Sequence, residues 1–377
     1  MKIMFTGGGS GGHFYPIIAI VEAIRELQEK ERLLAAELFF VSDKPYDNRA
    51  LFENDISYKE IKTGKRRTYA SIRNFFDVIR TAFAVLKAII MMYRIFPDVV
   101  FGKGGYASFP ALFAARIFGI PVLIHESDAV PGRVNRWAAK FAKFVAVSYP
   151  DAAKFFPKDK VIVTGNPIRK EILIPITDGA HKFLELEEGI PVILVLGGSQ
   201  GSQIINDAIL DALPLILERY QVIHQAGEQN KAEVEGRLSG ILSMTPHKQR
   251  YKMYTYLNDL ALRMSAGIAD IVISRAGSTI FEIASWGRAS IIVPITESAG
   301  DHQKQNAFYY ARSGAAIVVE EANLTPRLLL AEVDRILGNA QMKSDMEKSA
   351  SRFAEHNASA AEKIARQLLK MALKHDD

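Results

Sequence analysis

The chain has 377 residues, room for two domains of ordinary size. Hydrophobic residues make up 49% and charged residues 24%, which excludes a disordered chain, a collagen and a multi-span membrane protein. The absence of cysteine excludes disulfides, thiolate nucleophiles and cysteine-based metal sites, and fits a reducing compartment.

The net charge of +5 is unevenly spread. Residues 1–165 carry 24 Lys+Arg against 16 Asp+Glu, whereas residues 166–377 carry 23 against 26. The halves are therefore expected to face different partners. Between residues 62 and 94 eight basic side chains stand against Asp77 alone. Such a patch suits nucleic acid, an anionic membrane surface or a phosphorylated substrate, and composition does not choose among them.

In chain order, a short apolar strand at Lys2–Phe5 leads through a glycine loop into a helical run from Tyr15 to about Lys30. Glycines interrupt residues 1–12 where a signal peptide would need its apolar core. A second strand is expected at Glu37–Ser42, and further Val/Ile/Phe-rich runs at 97–105, 120–128 and 142–148. Strands bracketed by helical stretches indicate parallel βαβ units. The pattern pauses after residues 161–169. Residues 170–190, with Pro175, Asp178, Gly179 and Gly189, read as irregular. It restarts at 191–209 with strand, glycine loop and helix again, and runs on through 221–227, 270–277, 289–295 and 315–321. From about Leu324 the tail is rich in Ala, Lys and Glu and helical. The expected division is 1–165, an interdomain connection at 166–190, a second domain at 191–340, and a helical tail at 341–377 that packs back on the first. No stretch approaches the 18 apolar residues of a transmembrane helix.

Two glycine loops carry the first chemical signal. Gly7-Gly8-Gly9-Ser10-Gly11-Gly12 satisfies G-x-G-x-x-G, where glycines let backbone N–H groups approach a phosphate at a helix start. A nicotinamide-binding oxidoreductase would add an acidic residue about 20 residues on. The nearest candidate, Asp43, is 31 residues beyond Gly12. The loop also recurs in altered form as Gly197-Gly198-Ser199-Gln200-Gly201, and one nicotinamide does not need two. Two such loops suit a protein holding a nucleotide in one domain and a second substrate in the other.

GGGSGGH (7–13), GKGGYASFP (102–110), HESD (125–128), GNPIR (165–169), GGSQGS (197–202), SRAGSTIFE (274–282) and DHQKQNA (301–307) appear in this order. The set resembles the MurG family of bacterial glycosyltransferases over residues 2–316. The resemblance implies an α/β GT-B fold: two Rossmann-like doubly wound domains with a cleft between them. It implies an inverting hexosyltransferase that moves N-acetylglucosamine from UDP-N-acetylglucosamine to the 4-hydroxyl of the muramyl sugar of lipid I, a polyprenyl-pyrophosphate-linked acceptor, forming lipid II for peptidoglycan. Rivals are a GT-B transferase with another lipid or glycan acceptor and, from a different class, the oxidoreductase.

On the donor side the resemblance places Ser199, Gln200 and Gly201 at the pyrophosphate with Arg169 close by. Leu257 falls at the uracil, Ser278 and Thr279 in the nucleotide pocket, and Gln303 at the sugar hydroxyls. Glu282 falls at the ribose, where a carboxylate takes two O–H donors. Asn306 is expected to cap or brace its loop. On the acceptor side Ser10, Gly11 and Gly12 hold the pyrophosphate, and Gly104, Gly105 and Tyr106 shape the site. His13 serves as base or phosphate donor, or has a structural role only. Two departures stand out. HESD replaces the family's His-Glu-Gln-Asn, so Asp128 joins His13 as a candidate base, and the SRAG segment is one residue short. No Asp-x-Asp motif is present, so no tightly bound metal is expected, with Mg²⁺ at most stimulatory.

Residues 72–95 place Arg73, Arg80, Lys87 and Arg94 along one helical stripe, with Phe75, Phe76, Ile79, Phe83, Leu86 and Ile90 elsewhere around it. The segment reads either as a core helix with a basic edge or as a face for an anionic bilayer. A lipid-linked acceptor favours the bilayer over nucleic acid and implies peripheral attachment at the cytoplasmic face of the cell membrane.

Overall fold

The computed structural model describes residues 1–373 except 9, 65–71, 199, 244, 297–300 and 356; the side chains of 72–76 are also outside the description. The chain forms two compact units, Met1–Arg169 with Asn357–Asp377, and Lys170–His356.

The first unit holds a parallel sheet of seven strands: β1 (Lys2–Thr6), β2 (Glu37–Ser42), β3 (Ile56–Glu60), β4 (Val99–Gly102), β5 (Val122–Glu126), β6 (Phe144–Val147) and β7 (Val161–Val163). Their order is β3-β2-β1-β4-β5-β6-β7. β1, β4 and β5 are sealed by helices on both faces, so their apolar runs are continuous rather than alternating. The helix Gly11–Glu31 buries Ile17, Ile20, Val21 and Ile24 in this core, and the last helix, Ala360–Leu373, adds Ile364, Leu368 and Leu369. Arg366 pairs with Glu31 at 2.6 Å between the same two helices.

The second unit repeats the design with six parallel strands: β8 (Val192–Leu196), β9 (Gln221–Gln225), β10 (Tyr251–Tyr254), β11 (Ile271–Ser274), β12 (Ser290–Ile292) and β13 (Ala316–Val318). The order is β10-β9-β8-β11-β12-β13. Counted within the unit this is 3-2-1-4-5-6, the doubly wound Rossmann order, and the first unit begins in the same way. In both sheets the order reverses beside the first strand, between β1 and β4 and between β8 and β11. Ligands of such sheets bind beyond the carboxyl ends of the strands at that reversal, which is where both glycine loops lie.

Two boundaries differ from the sequence expectation. From Lys170 the expected connection packs as part of the second unit: the Trp286 indole N–H donates to the carbonyl of Ile172 at 2.8 Å, and the N–H of Ile176 donates to Arg263 at 3.0 Å. The tail is divided. Helix Ala340–Glu355 belongs to the second unit, where Phe353 packs its ring 4.9 Å from that of Tyr310. Asn357 onward belongs to the first, with the Asn357 amide oxygen accepting from Asn166 N–H at 3.1 Å.

Candidate active site

At Gly8 the loop after β1 has no room for a side chain. A Cβ on Gly8 would stand 2.3 Å from that of Ala107, and one on Gly11 would stand 2.8 Å from the Tyr46 hydroxyl. The helix starts at Gly11, four residues before the sequence indicated, so Gly11 and Gly12 form its first turn and Ser10 its N-cap. The first N–H groups of a helix lack intrahelical partners and favour an anion, although that of His13 is already given to Ser10 O at 3.0 Å. His13 completes the turn, with Nδ1 2.9 Å from Ser10 Oγ. Its Nε2 faces Gly105, where an added Cβ would come within 3.7 Å. Gly104 and Gly105 take φ of 91° and 80°, which side chains other than glycine avoid. Tyr106 donates to the Asp43 carboxylate. The loops after β1, β4 and β5 thus bring Ser10, Gly11, Gly12, His13, Gly104, Gly105, Tyr106 and Asp128 to one end of three adjacent strands.

Beneath them lies a polar cluster whose members Lys103, His125, Glu126 and Ser127 stand in the GKGGYASFP and HESD motifs without an expected role. Lys103 is 1% exposed. Its Nζ donates to Ser127 Oγ at 2.6 Å and lies 2.9 Å from Nδ1 of buried His125. His125 Nε2 is 3.0 Å from the carbonyl of Gly165. The neighbouring Glu126 carboxylate accepts from the N–H groups of Asp128 and Gly132 and from the amide of Asn135. Burial pushes the lysine below its ordinary range against the pull of Glu126 and Asp128. Burial, then the Asp128 charge, pushes the Glu126 carboxyl up against the pull of its three N–H donors. Asp128 itself is half-buried.

Arg169 is the one donor-side candidate in the first unit. Its guanidinium lies 4.0 Å from the centre of the Tyr15 ring, a cation–π contact.

In the second unit Ser199 lies outside the described residues. Gly198 and Gly201 adopt φ of 89° and 77°. A Cβ on Gly201 would overlap the carbonyl oxygen of Ala226 at 2.1 Å. Gln200 is exposed, and Ser202 caps the helix Gln203–Ile216 through Ile205 N–H. Gln225 is a further part missed from sequence: its amide donates to Gly198 O at 3.3 Å and accepts from Leu257 N–H at 3.0 Å. It ties the glycine loop to Leu257, the expected uracil position, and engages that residue's N–H. Behind it buried His224 stands between Asn206 Oδ1 at 2.9 Å and the Tyr251 hydroxyl at 2.8 Å.

Ser278 precedes the helix Thr279–Ser285, whose first turn carries half-buried Glu282. Asn306 braces the loop before it, donating to Ala276 O at 3.0 Å. Gln303 accepts from Ile295 N–H at 3.2 Å beyond β12. Arg275 is taken up internally, by Val293 O at 3.1 Å and by Glu321 at 2.5 Å. Gln200, Gly201, Leu257, Ser278, Thr279, Glu282 and Gln303 therefore share the carboxyl ends of the second sheet. Among the described residues no group of three or more His, Cys, Asp or Glu is placed to hold a metal ion.

Paired doubly wound units, each with a glycine loop at its switch point, define the GT-B fold class, which the family models narrow to a glycosyltransferase. The N-terminal domain model of glycosyltransferase family 28 matches residues 3–147 and the C-terminal domain model residues 192–368. The chain is 34% identical over 339 residues to the UDP-N-acetylglucosamine--N-acetylmuramyl-(pentapeptide) pyrophosphoryl-undecaprenol N-acetylglucosamine transferase of Clostridium kluyveri, covering 89% of this chain and 91% of that one. It is 35% identical over 344 residues to a Bacillus cereus protein of the same name, numbered 2, covering 90% and 93%. Among solved structures, MurG of Acinetobacter baumannii superposes with a TM-score of 0.70 at 28% identity, over 98% of this chain and 99% of that one. A Neisseria meningitidis UDP-GlcNAc 2-epimerase, at 15% identity and a TM-score of 0.67 over 98% and 100%, shares the fold alone. The chain belongs to the MurG family.

Proposed function

We propose that this chain transfers N-acetylglucosamine from UDP-N-acetylglucosamine to the 4-hydroxyl of the muramyl sugar in lipid I, giving lipid II and UDP. The observation that carries this reading is the 34–35% identity to transferases of that name across nine-tenths of the chain. Neither another acceptor nor nicotinamide chemistry has comparable support.

All donor residues but Arg169 lie in the second unit. Loop N–H groups around Gly198–Gly201 and the start of the helix Gln203–Ile216 take the pyrophosphate, the group on which negative charge grows as the sugar leaves. Glu282 accepts from the ribose hydroxyls, Gln303 reads the sugar, and Ser278 and Thr279 line the nucleotide. The Leu257 N–H serves Gln225, so its carbonyl is the group offered to the uracil. Arg169 adds a cation for phosphate.

The first unit takes the acceptor. Its pyrophosphate rests on Ser10, Gly11 and Gly12, with Gly104, Gly105 and Tyr106 beside the sugar. The 4-hydroxyl attacks C1 opposite the leaving UDP, so the α-linked donor becomes a β-1,4 bond. His13 or Asp128 takes the hydroxyl proton. The reading needs no resident metal, and Mg²⁺ acts only as a loosely held stimulant.

A membrane surface completes the reading. Among the described residues no helix is long and apolar enough to cross a bilayer. The helix Ile72–Ile95 buries Ala84, Ala88 and Met92 and exposes Ile79, Phe83, Leu86, Ile90 and Tyr93 at alternating spacings of four and three. Arg80, Lys87 and Arg94 are exposed on the same helix. An apolar stripe with flanking cations suits anionic lipid at the cytoplasmic membrane face and has no use on nucleic acid.

The test is UDP release in detergent with a short-chain lipid I analogue. Release that requires the analogue supports the reading. Release of UMP instead would mean phosphoglycosyl transfer and overturn it.

A further inference from the structure

Half-buried Asp43 directly follows β2, where a dinucleotide-binding unit of this topology holds a ribose with an acid. Here the carboxylate is taken up within the unit: Oδ2 accepts from the Tyr106 hydroxyl, and Oδ1 accepts from Ser42 Oγ at 3.2 Å. Burial, then the bond to Asp43, pushes the Tyr106 phenol up to about 12, so it keeps its proton and is the donor. Asp43 stands on a fixed base. β2 pairs with β1 from Glu37 to Val41, and Ser42 O accepts from Ile61 N–H at 2.8 Å and from the Tyr58 hydroxyl at 3.1 Å. Tyr106 follows Gly104 and Gly105, with φ of 91° and 80°, and glycine has the most backbone freedom to lose. The first glycine loop passes beside the two partners: a Cβ on Gly8 would stand 2.3 Å from that of Ala107 and 3.5 Å from Asp43 Oδ1. A Cβ on Gly105 would stand 3.4 Å from Gly8 O and 3.7 Å from His13 Nε2. The Tyr106–Asp43 bond thus fastens the Gly105 turn against Gly8 and sets how near it comes to His13.

We propose that Asp43 is a positioning residue for glycosyl transfer: by holding the Tyr106 hydroxyl it clasps the loop after β4 onto the first glycine loop and fixes the spacing of Gly105 and His13 around the acceptor. The acid that would hold ribose in a nucleotide-binding unit here serves the protein's own loop, which fits a first unit that takes an acceptor rather than a nucleotide. Asp43 acts through Tyr106, and the proposal rests on the acceptor reading given above.

The test uses the full chain with Asp43→Ala, Asp43→Asn and Tyr106→Phe, and with Asp43→Ala and Tyr106→Phe combined. The kcat/KM for the lipid I analogue at saturating UDP-N-acetylglucosamine, the Kd for UDP by calorimetry and the Tm are read together. Asp43→Ala and Tyr106→Phe each lower the acceptor kcat/KM by about tenfold, with UDP affinity held within about twofold. The combined variant loses no more than about twofold beyond either single one, because both changes undo the same clasp. Asp43→Asn keeps an oxygen that accepts from the phenol and stays within about threefold of wild type. A folded Asp43→Ala protein with unmoved acceptor kcat/KM overturns the proposal. So do losses that multiply in the combined variant, a matching fall in UDP affinity, or an Asp43→Asn protein as impaired as Asp43→Ala. Should Asp43→Ala fail to fold, Tyr106→Phe removes only the hydroxyl and carries the same expectation; an unmoved acceptor kcat/KM there is equally fatal. Wild-type protein that transfers nothing defeats the acceptor reading and this proposal together, whereas active wild type with indifferent variants defeats this proposal alone.

Discussion

Ser10 Oγ lies 2.9 Å from Nδ1 of His13, and the direction of that hydrogen bond decides which ring nitrogen carries the proton. If Nδ1–H donates to Ser10, the Nε2 lone pair faces the Gly105 loop, as a base for the acceptor hydroxyl requires. His13→Ala is expected to lower kcat about 10²-fold or more, with UDP affinity unchanged. Ser10→Ala, which leaves the ring but not its orientation, is expected to cost about tenfold. Asp128→Asn measured beside them assigns the proton acceptor: full turnover in that variant with loss in His13→Ala gives the role to His13 alone.

Of the proposed donor-side groups, Glu282 has the clearest chemistry. Hydrogen bonds to a charged partner contribute about 1.5–3 kcal/mol, so Glu282→Ala should weaken UDP binding by about 10- to 100-fold. Calorimetric titration with UDP measures this. Unchanged affinity would remove Glu282 from the ribose.

Acid stability of the second unit should depend on His224. Burial pushes its imidazole down to about 3 from the ordinary 6.5. Below pH 6.5 the unfolded chain takes up a proton that the folded chain refuses until about pH 3. Stability is therefore full above 6.5 and falls on acidification through that window. Between pH 7 and pH 5 the loss from this site is about 2 kcal/mol. Urea unfolding at the two pH values checks it, and His224→Gln should flatten the difference.

The outer face of helix Ile72–Ile95 gives a separable prediction. Phe83 is 69% exposed and Leu86 55%. Replacing both with glutamate should abolish binding to anionic vesicles and slow transfer to a bilayer-held acceptor, with turnover of a detergent-dispersed analogue unchanged. Binding by the wild type should also weaken with salt, because Arg80, Lys87 and Arg94 act through a screened field.

The interior strands were legible because burial on both faces writes an unbroken apolar run, as in VILVL of β8. Edge strands are not written that way. β3, ISYKE, is mostly exposed, and β10, YKMY, is half-buried, and neither stood out. The first helix was read four residues late because Gly11 and Gly12 carry no periodic signal, although their backbone is helical. The glycine loops, His13 and Glu282 are candidates because ordered motifs single them out. Lys103 stands in the GKGGYASFP motif, but nothing in a lysine's sequence neighbourhood announces that its ammonium is buried. The available signal was paired: a lysine closing an apolar strand, and a serine in the HESD turn that could accept from it. The split of the tail at residue 356 was likewise hidden, because both of its helices are amphipathic and neither sequence names the sheet it covers.

The central claim is tested most directly by the structure of the product. Wild-type protein, UDP-N-acetylglucosamine and a short-chain lipid I analogue should give one disaccharide per UDP released, with mass increased by one N-acetylhexosamine and a β-1,4 linkage by nuclear magnetic resonance. UDP-sugar that binds but is not transferred, or a product retaining the α configuration, would contradict the account.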